Sequence, residues 1–207
     1  MTNIQAMTFF EQLHHIDKDI TLAINSVNCP ASDFVWMVFS NKYIWFVLYA
    51  LVLVFLVRNL GWKKALISTV AIVLTITFCD QLGNVCKDFF QRLRPCCDLD
   101  MLGRGLRVLD PPYNKIEYGF YSAHAANAMG FAVASILAFR NDRKRNYRIY
   151  NISVIIWALL VGFSRVFVGK HYLGDICAGF AVGAAIALAI SCVAGIVMKV
   201  LLREKTK

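Results

Sequence analysis

Apolar residues run nearly unbroken through five stretches, at 43–57, 65–86, 121–139, 149–168 and 173–202, and polar residues gather between them. Runs approaching 20 residues are long enough to cross a bilayer as α-helix. The stretch at 43–57 is short, and the aromatic segment from Trp36 to Trp45 extends it toward the membrane interface. Ahead of it, Phe9, Phe10, Leu13, Ile16, Ile20 and Ile24 recur at helical spacing, with Glu11, Gln12, Asp17, Lys18 and Asp19 between them. After Pro30 comes a shorter apolar patch, Phe34, Val35, Met37, Val38 and Phe39. Neither segment reaches span length, so residues 1–42 are expected to lie in the interface as amphipathic helices, the alternative being a sixth, broken span. The pattern predicts an all-α integral membrane protein. It is a helical bundle of five transmembrane helices, or six, with N-terminal interfacial helices, in one domain over residues 1–207.

Composition agrees. The chain is 58% hydrophobic and only 17% charged, and its mean hydropathy is +0.56; a soluble surface needs more charge. The net charge of +9 forms no basic patch interleaved with exposed aromatics, which argues against a nucleic-acid partner. It sits instead at the ends of the apolar runs: Arg58, Lys63 and Lys64; Arg140, Arg143, Lys144, Arg145 and Arg148; and Arg203, Lys205 and Lys207. With five spans all three groups share one side, the cytoplasm by the positive-inside rule. The N-terminal segment, net acidic, and the loop 87–120 then lie outside. No cleavable signal peptide is evident, so the first span is expected to be retained. Seven cysteines with no CxxC pair indicate neither a disulfide framework nor a zinc site. Gly179, Gly183, Ala187, Ser191 and Gly195, and Ala126, Gly130, Ala134 and Ala138, form small-residue stripes that let helices approach closely in lipid.

Polar residues converge at the outer ends of the second to fifth spans. Lys87 and Arg94 are seven apart, about 700° of helix, so they share one face, and Pro95 is expected to end the helix at Arg94. Ser122 is a candidate N-cap with His124 on the first turn after it, and a helix N-terminus attracts phosphate. Arg165 and His171 are six apart, about 240°, so a turn near Gly169 is needed to bring both to one cavity. His171 and Asp175 stack at i, i+4, and an acceptor on one ring nitrogen makes the other a better nucleophile. Within the second span, Asp80 is an intramembrane carboxylate, expected to orient Lys87 through Asn84 or to hold a helix contact.

The series Lys87-x6-Arg94-Pro95, Ser122-x-His124 and Ser164-Arg165-x5-His171-x3-Asp175 resembles the type 2 phosphatidic acid phosphatase family, in its bacterial membrane lipid phosphatase branch. That family shares its site with vanadium haloperoxidases. The resemblance covers roughly residues 65–185. It implies that Lys87, Arg94 and Arg165 hold the phosphoryl oxygens, that Ser122 adds a hydrogen bond, and that His171 attacks phosphorus. Asp175 then orients His171, and His124 protonates the leaving group and activates water. Fixed cations stand where other phosphatases use metals, so no cofactor is implied. Tyr121 and Ala123 replace the family's usual proline and glycine, and the methyl of Ala123 narrows the phosphate approach.

The implied substrate is a membrane lipid phosphate, with undecaprenyl diphosphate and lipid A phosphate favoured over phosphatidylglycerol phosphate and phosphatidic acid. The implied location is the bacterial inner membrane, the site facing the periplasm, with no obligate protein partner. A haloperoxidase, or a transporter or scaffold that kept the motif, are the competing readings. A membrane body disfavours the first, and retention of His171 and Arg165 disfavours the others.

Overall fold

The computed structural model describes residues 8–27, 29–142 and 144–202; Arg143, Arg203, Lys205 and Lys207 of the predicted basic segments lie outside the described residues. The described chain forms α1 (Phe9–Ser26), α2 (Pro30–Ser40), α3 (Phe46–Leu60), α4 (Trp62–Phe90), α5 (Leu99–Gly103), α6 (Ala123–Phe139), α7 (Arg148–Phe167) and α8 (Leu173–Leu201). α4, α7 and α8 are long and apolar enough to cross a membrane; α3 and α6 are shorter apolar helices.

α6 is the central helix and packs against α4, α7 and α8. Its buried residues are mostly alanine and glycine, which lets neighbouring backbones come close. A Cβ on Gly183 would lie 2.2 Å from the carbonyl oxygen of Ala126, and one on Gly179 would lie 2.6 Å from that of Ser122. The stripe predicted on α8 is therefore an interface over its amino-terminal half only, because a Cβ on Gly195 meets nothing within 4 Å. Toward the other end, Phe131 and Phe139 of α6 pack with Val52, Leu56, Ile72 and Trp157 in the main apolar core. Large apolar residues such as Val54, Phe55, Val70, Phe78, Ile152, Leu188 and Ile196 face outward, as lipid contact requires.

The two ends of the bundle differ. Asn59 donates to the Tyr147 hydroxyl at 3.0 Å and accepts from Arg145 at 2.6 Å, joining the α3–α4 turn to the α6–α7 loop. The opposite end carries the loop between α4 and α6, the α7–α8 turn, and α1 and α2. There α1 is inside out: Phe9, Phe10, Leu13, Ile16 and Ile20 are exposed, while Lys18, Thr21 and Asn25 are buried against the protein.

α4 stops earlier than Pro95 suggests. Gln91 takes a left-handed conformation (φ 46°) that ends the helix. The chain then runs extended beside residues 117–119, with Arg94 N donating to Glu117 O at 2.9 Å and Gly119 N to Arg92 O at 2.8 Å. Lys87 and Arg94 accordingly do not share a helical face; the backbone pairing positions Arg94.

Gly183→Val should force α6 and α8 apart, because backbone and not a movable side chain stands in the way. Gly195→Val should be tolerated. Thermal unfolding in detergent checks this, and equal midpoints for the two variants would show that the α6–α8 approach is not limiting.

Candidate active site

The turn between α7 and α8 assembles the site. Gly169 has φ 80°, and a Cβ there would lie 2.7 Å from the Arg107 carbonyl oxygen, so both conformation and space call for glycine. The turn brings Lys170 N and His171 N onto the Arg165 carbonyl, at 2.9 and 3.2 Å. Arg165 and His171 thereby reach one cavity of about 740 Å³, which Lys87, Arg94, Ala123, His124 and Lys170 also line.

The first amides of α8 have no intrahelical partner, and another helix supplies them. Leu173 N donates to Thr21 Oγ1 at 3.0 Å and Gly174 N to Asp17 Oδ1 at 2.8 Å, while Tyr172 N donates to Asp175 Oδ2 at 3.1 Å. One turn further along α1, Asn25 Nδ2 donates to the carbonyls of Val166 and Arg107, both at 3.0 Å. The amino-terminal segment, outside the sequence resemblance, is thus a clamp on the α7–α8 turn. Asp17, Thr21 and Asn25 are spaced i, i+4, i+8, so their shared ridge was visible in the sequence; what they hold was not.

Asp175 is fully buried. Its Oδ2 lies 3.3 Å from His171 Nδ1, and its Oδ1 accepts from Arg92 at 2.6 Å. Arg92 also donates to Asp17 Oδ2 at 2.6 Å and lies over the Tyr172 ring at 4.2 Å. Sequence reasoning missed Arg92, which stands outside the motif spacing. Burial, then the positive charges of Arg94, Arg165, Lys87 and Lys170, hold His171 well below the usual imidazole range. It is therefore neutral at pH 7, with a lone pair available.

Three of the cations have local counter-charges. Arg94 pairs with Glu117 at 3.1 Å, Arg165 with Asp110 at 3.6 Å, and Lys170 with Glu117 at 3.7 Å. Arg165 also donates to the Ser40 hydroxyl, which ties α2 to the cavity, and its buried Nε has no partner among the described residues.

The remaining expected residues are placed as follows. Ser122 is buried and caps α6, its Oγ accepting from Ala125 N at 3.4 Å and its N donating to the Asp175 carbonyl at 3.0 Å. It is not among the residues lining the cavity; the cap engages its oxygen as acceptor and leaves its O–H to donate. Asn84 Oδ1 is 3.5 Å from Lys87 Nζ. Asp80 does not reach Lys87 through Asn84; it accepts from Asn127 of α6 at 2.8 Å, a contact between helices. Among the described residues no group of three or more His, Cys, Asp or Glu side chains is arranged to hold a metal ion.

Residues 62–198 match the family model of the PAP2 superfamily. The lipid A 4'-phosphatase of Bacteroides thetaiotaomicron is 36% identical over 180 residues, covering 84% of this chain and 74% of that protein. The lipid A 4'-phosphatase of Porphyromonas gingivalis is 30% identical over 174 residues, covering 84% of this chain and 70% of that protein. In fold, the chain is similar to a PAP2-type phosphatidylglycerolphosphate phosphatase from Bacillus subtilis, with a TM-score of 0.70 at 18% identity, covering 95% of this chain and 90% of that one.

Arg92→Met would leave the Asp175 carboxylate without its cation, at a cost of about 3–5 kcal/mol. Arg104→Met breaks the exposed pair with Asp19 and should cost under about 1 kcal/mol. Thermal unfolding in detergent should give a clearly lower midpoint for the first; equal midpoints would remove Arg92 from the framework of the site.

Proposed function

The chain belongs to the PAP2 superfamily, and from that premise we propose that this membrane phosphatase removes a phosphate from lipid A. It is a multi-pass membrane protein and a lipid phosphatase of a metal-independent family. The observation that carries the substrate is the 36% identity to a lipid A 4'-phosphatase, which extends over 84% of the chain.

In this reading Lys87, Arg94 and Arg165 bind the phosphoryl oxygens and offset the charge that develops on them. Glu117 and Asp110 hold the guanidiniums of Arg94 and Arg165 near the cavity until phosphate takes their place. Asp175 keeps a proton on His171 Nδ1, which leaves the lone pair on Nε2. Nε2 attacks phosphorus, the P–O bond to the lipid breaks, and His124 gives its proton to the departing oxygen. His124 then takes a proton from water, whose oxygen attacks the phosphohistidine; the P–N bond breaks and phosphate leaves. Ser122 serves this chemistry by fixing the start of α6, and Ala123 presents a methyl where the family's usual glycine has none.

We further place five helices across the membrane, α3, α4, α6, α7 and α8, with α1 and α2 in the outer interface and the site facing the periplasm. The basic α3–α4 turn and α6–α7 loop share one end of the bundle, and the positive-inside rule puts that end in the cytoplasm.

Purified protein should release phosphate from lipid A in the presence of EDTA, and His171→Ala should lower turnover by more than about 100-fold. Because His171 is held below its ordinary value, the acid limb of kcat/KM should fall below about pH 6.5. Retained turnover in His171→Ala would remove it as the nucleophile, and lipid A left intact while other lipid phosphates are cleaved would remove the substrate.

The orientation is tested in a cysteine-free background with a single cysteine at Tyr113 or at Lys144. An impermeant thiol reagent added to spheroplasts should label the first and spare the second; the reverse pattern would invert the topology.

A further inference from the structure

The cations make up only part of the cavity lining. At about 740 Å³ the cavity is in the range that takes a drug-sized ligand, far more than a phosphate group. The lining also contains Asp80 of α4, Asn127 of α6 and Tyr49 of α3. Asp80 precedes Lys87 by seven residues, about 10 Å down the helix toward the membrane centre. Asn127 Nδ2 donates to Asp80 Oδ1 at 2.8 Å, while Asn127 Oδ1 is buried and has no partner among the described residues. The helix contact uses one of the two N–H donors of Asn127 and leaves the Asp80 carboxylate with acceptor sites in excess of that remaining donor. Around them the same cavity is walled by Trp45, Ala128 and Val161.

Acceptors in this position constrain what lies between a bound phosphate and its lipid chains. A polyprenyl chain would desolvate the Asp80 carboxylate and return no hydrogen bond. The ester oxygens of a diacylglycerol backbone are themselves acceptors. A backbone with hydroxyl or amide N–H groups satisfies the site. We propose that Asp80 and Asn127, with Tyr49 beside them, form a specificity subsite for the O–H and N–H groups that link phosphate to acyl chains. This rests on the lipid phosphatase reading above and narrows its substrate to phosphates on donor-bearing backbones. N-acylated amino sugars and sphingoid bases share that chemistry.

The test compares kcat/KM in detergent for a diacyl glucosamine phosphate, ceramide 1-phosphate, phosphatidate and undecaprenyl diphosphate. The variant is Asp80→Leu with Asn127→Leu. Replacing both partners by apolar groups of similar size keeps the helix contact without an orphaned polar group, and Asn127→Leu alone is the second variant. The wild-type protein should prefer the first two substrates, and the variants should lower that preference by about tenfold or more. An unchanged preference, or equal losses on every substrate, would overturn the subsite while leaving the lipid phosphatase reading standing. A wild-type protein inactive on every lipid phosphate would overturn both. Preference for the glucosamine lipid over ceramide phosphate supports a sugar as the natural donor; the opposite order keeps the subsite and overturns lipid A as the substrate.

Discussion

The buried carboxylate of Asp175 is the constraint on which the rest of the site depends. With no exposed surface, its two oxygens must find their partners inside the protein. It meets His171, the Tyr172 amide and Arg92, so one side chain fixes an imidazole, begins a helix and anchors the loop after α4. Arg92 passes the constraint on to Asp17, and Asp17 returns it to α8 through the Gly174 amide. The ring closes through three segments distant in sequence, and none of them can shift without exposing a buried charge.

Close helix approach supplies the second condition. Ser122 N bonds to the Asp175 carbonyl beside the glycines of α8, so the starts of α6 and α8 are sewn together. That contact puts His124 and His171 on one cavity. A larger side chain at Gly179 or Gly183 would meet backbone, which makes small residues here a requirement of the chemistry as well as of packing in lipid.

Charge pairing is concentrated at this end of the bundle. Arg92, Arg104 and Arg107 face Asp17, Asp19 and Asp33, so the acidic N-terminal helices neutralise the arginines that follow α4. The α6–α7 loop at the other end has fewer such partners among the described residues, chiefly Asp142 with Arg145. Which charges are paired is decided by the fold, and no count along the chain can supply it.

Hydropathy by itself determined the helical class and the apolar helices, because an apolar run of membrane length has one stable backbone solution in lipid. The spacing of Arg165, His171 and Asp175 was readable too, since helical geometry and one glycine turn suffice to relate neighbours on a chain. Tertiary structure decided the rest. Periodicity shows that Asp17, Thr21 and Asn25 share a ridge of α1, but not that the ridge holds the α7–α8 turn some 150 residues away. Nor could spacing show that Arg92 holds Asp175, that the Ser122 amide bonds to the Asp175 carbonyl, or that Asp80 meets Asn127 in place of Asn84. A helix face states which residues need partners; only the packing of other helices against it decides which partners they get.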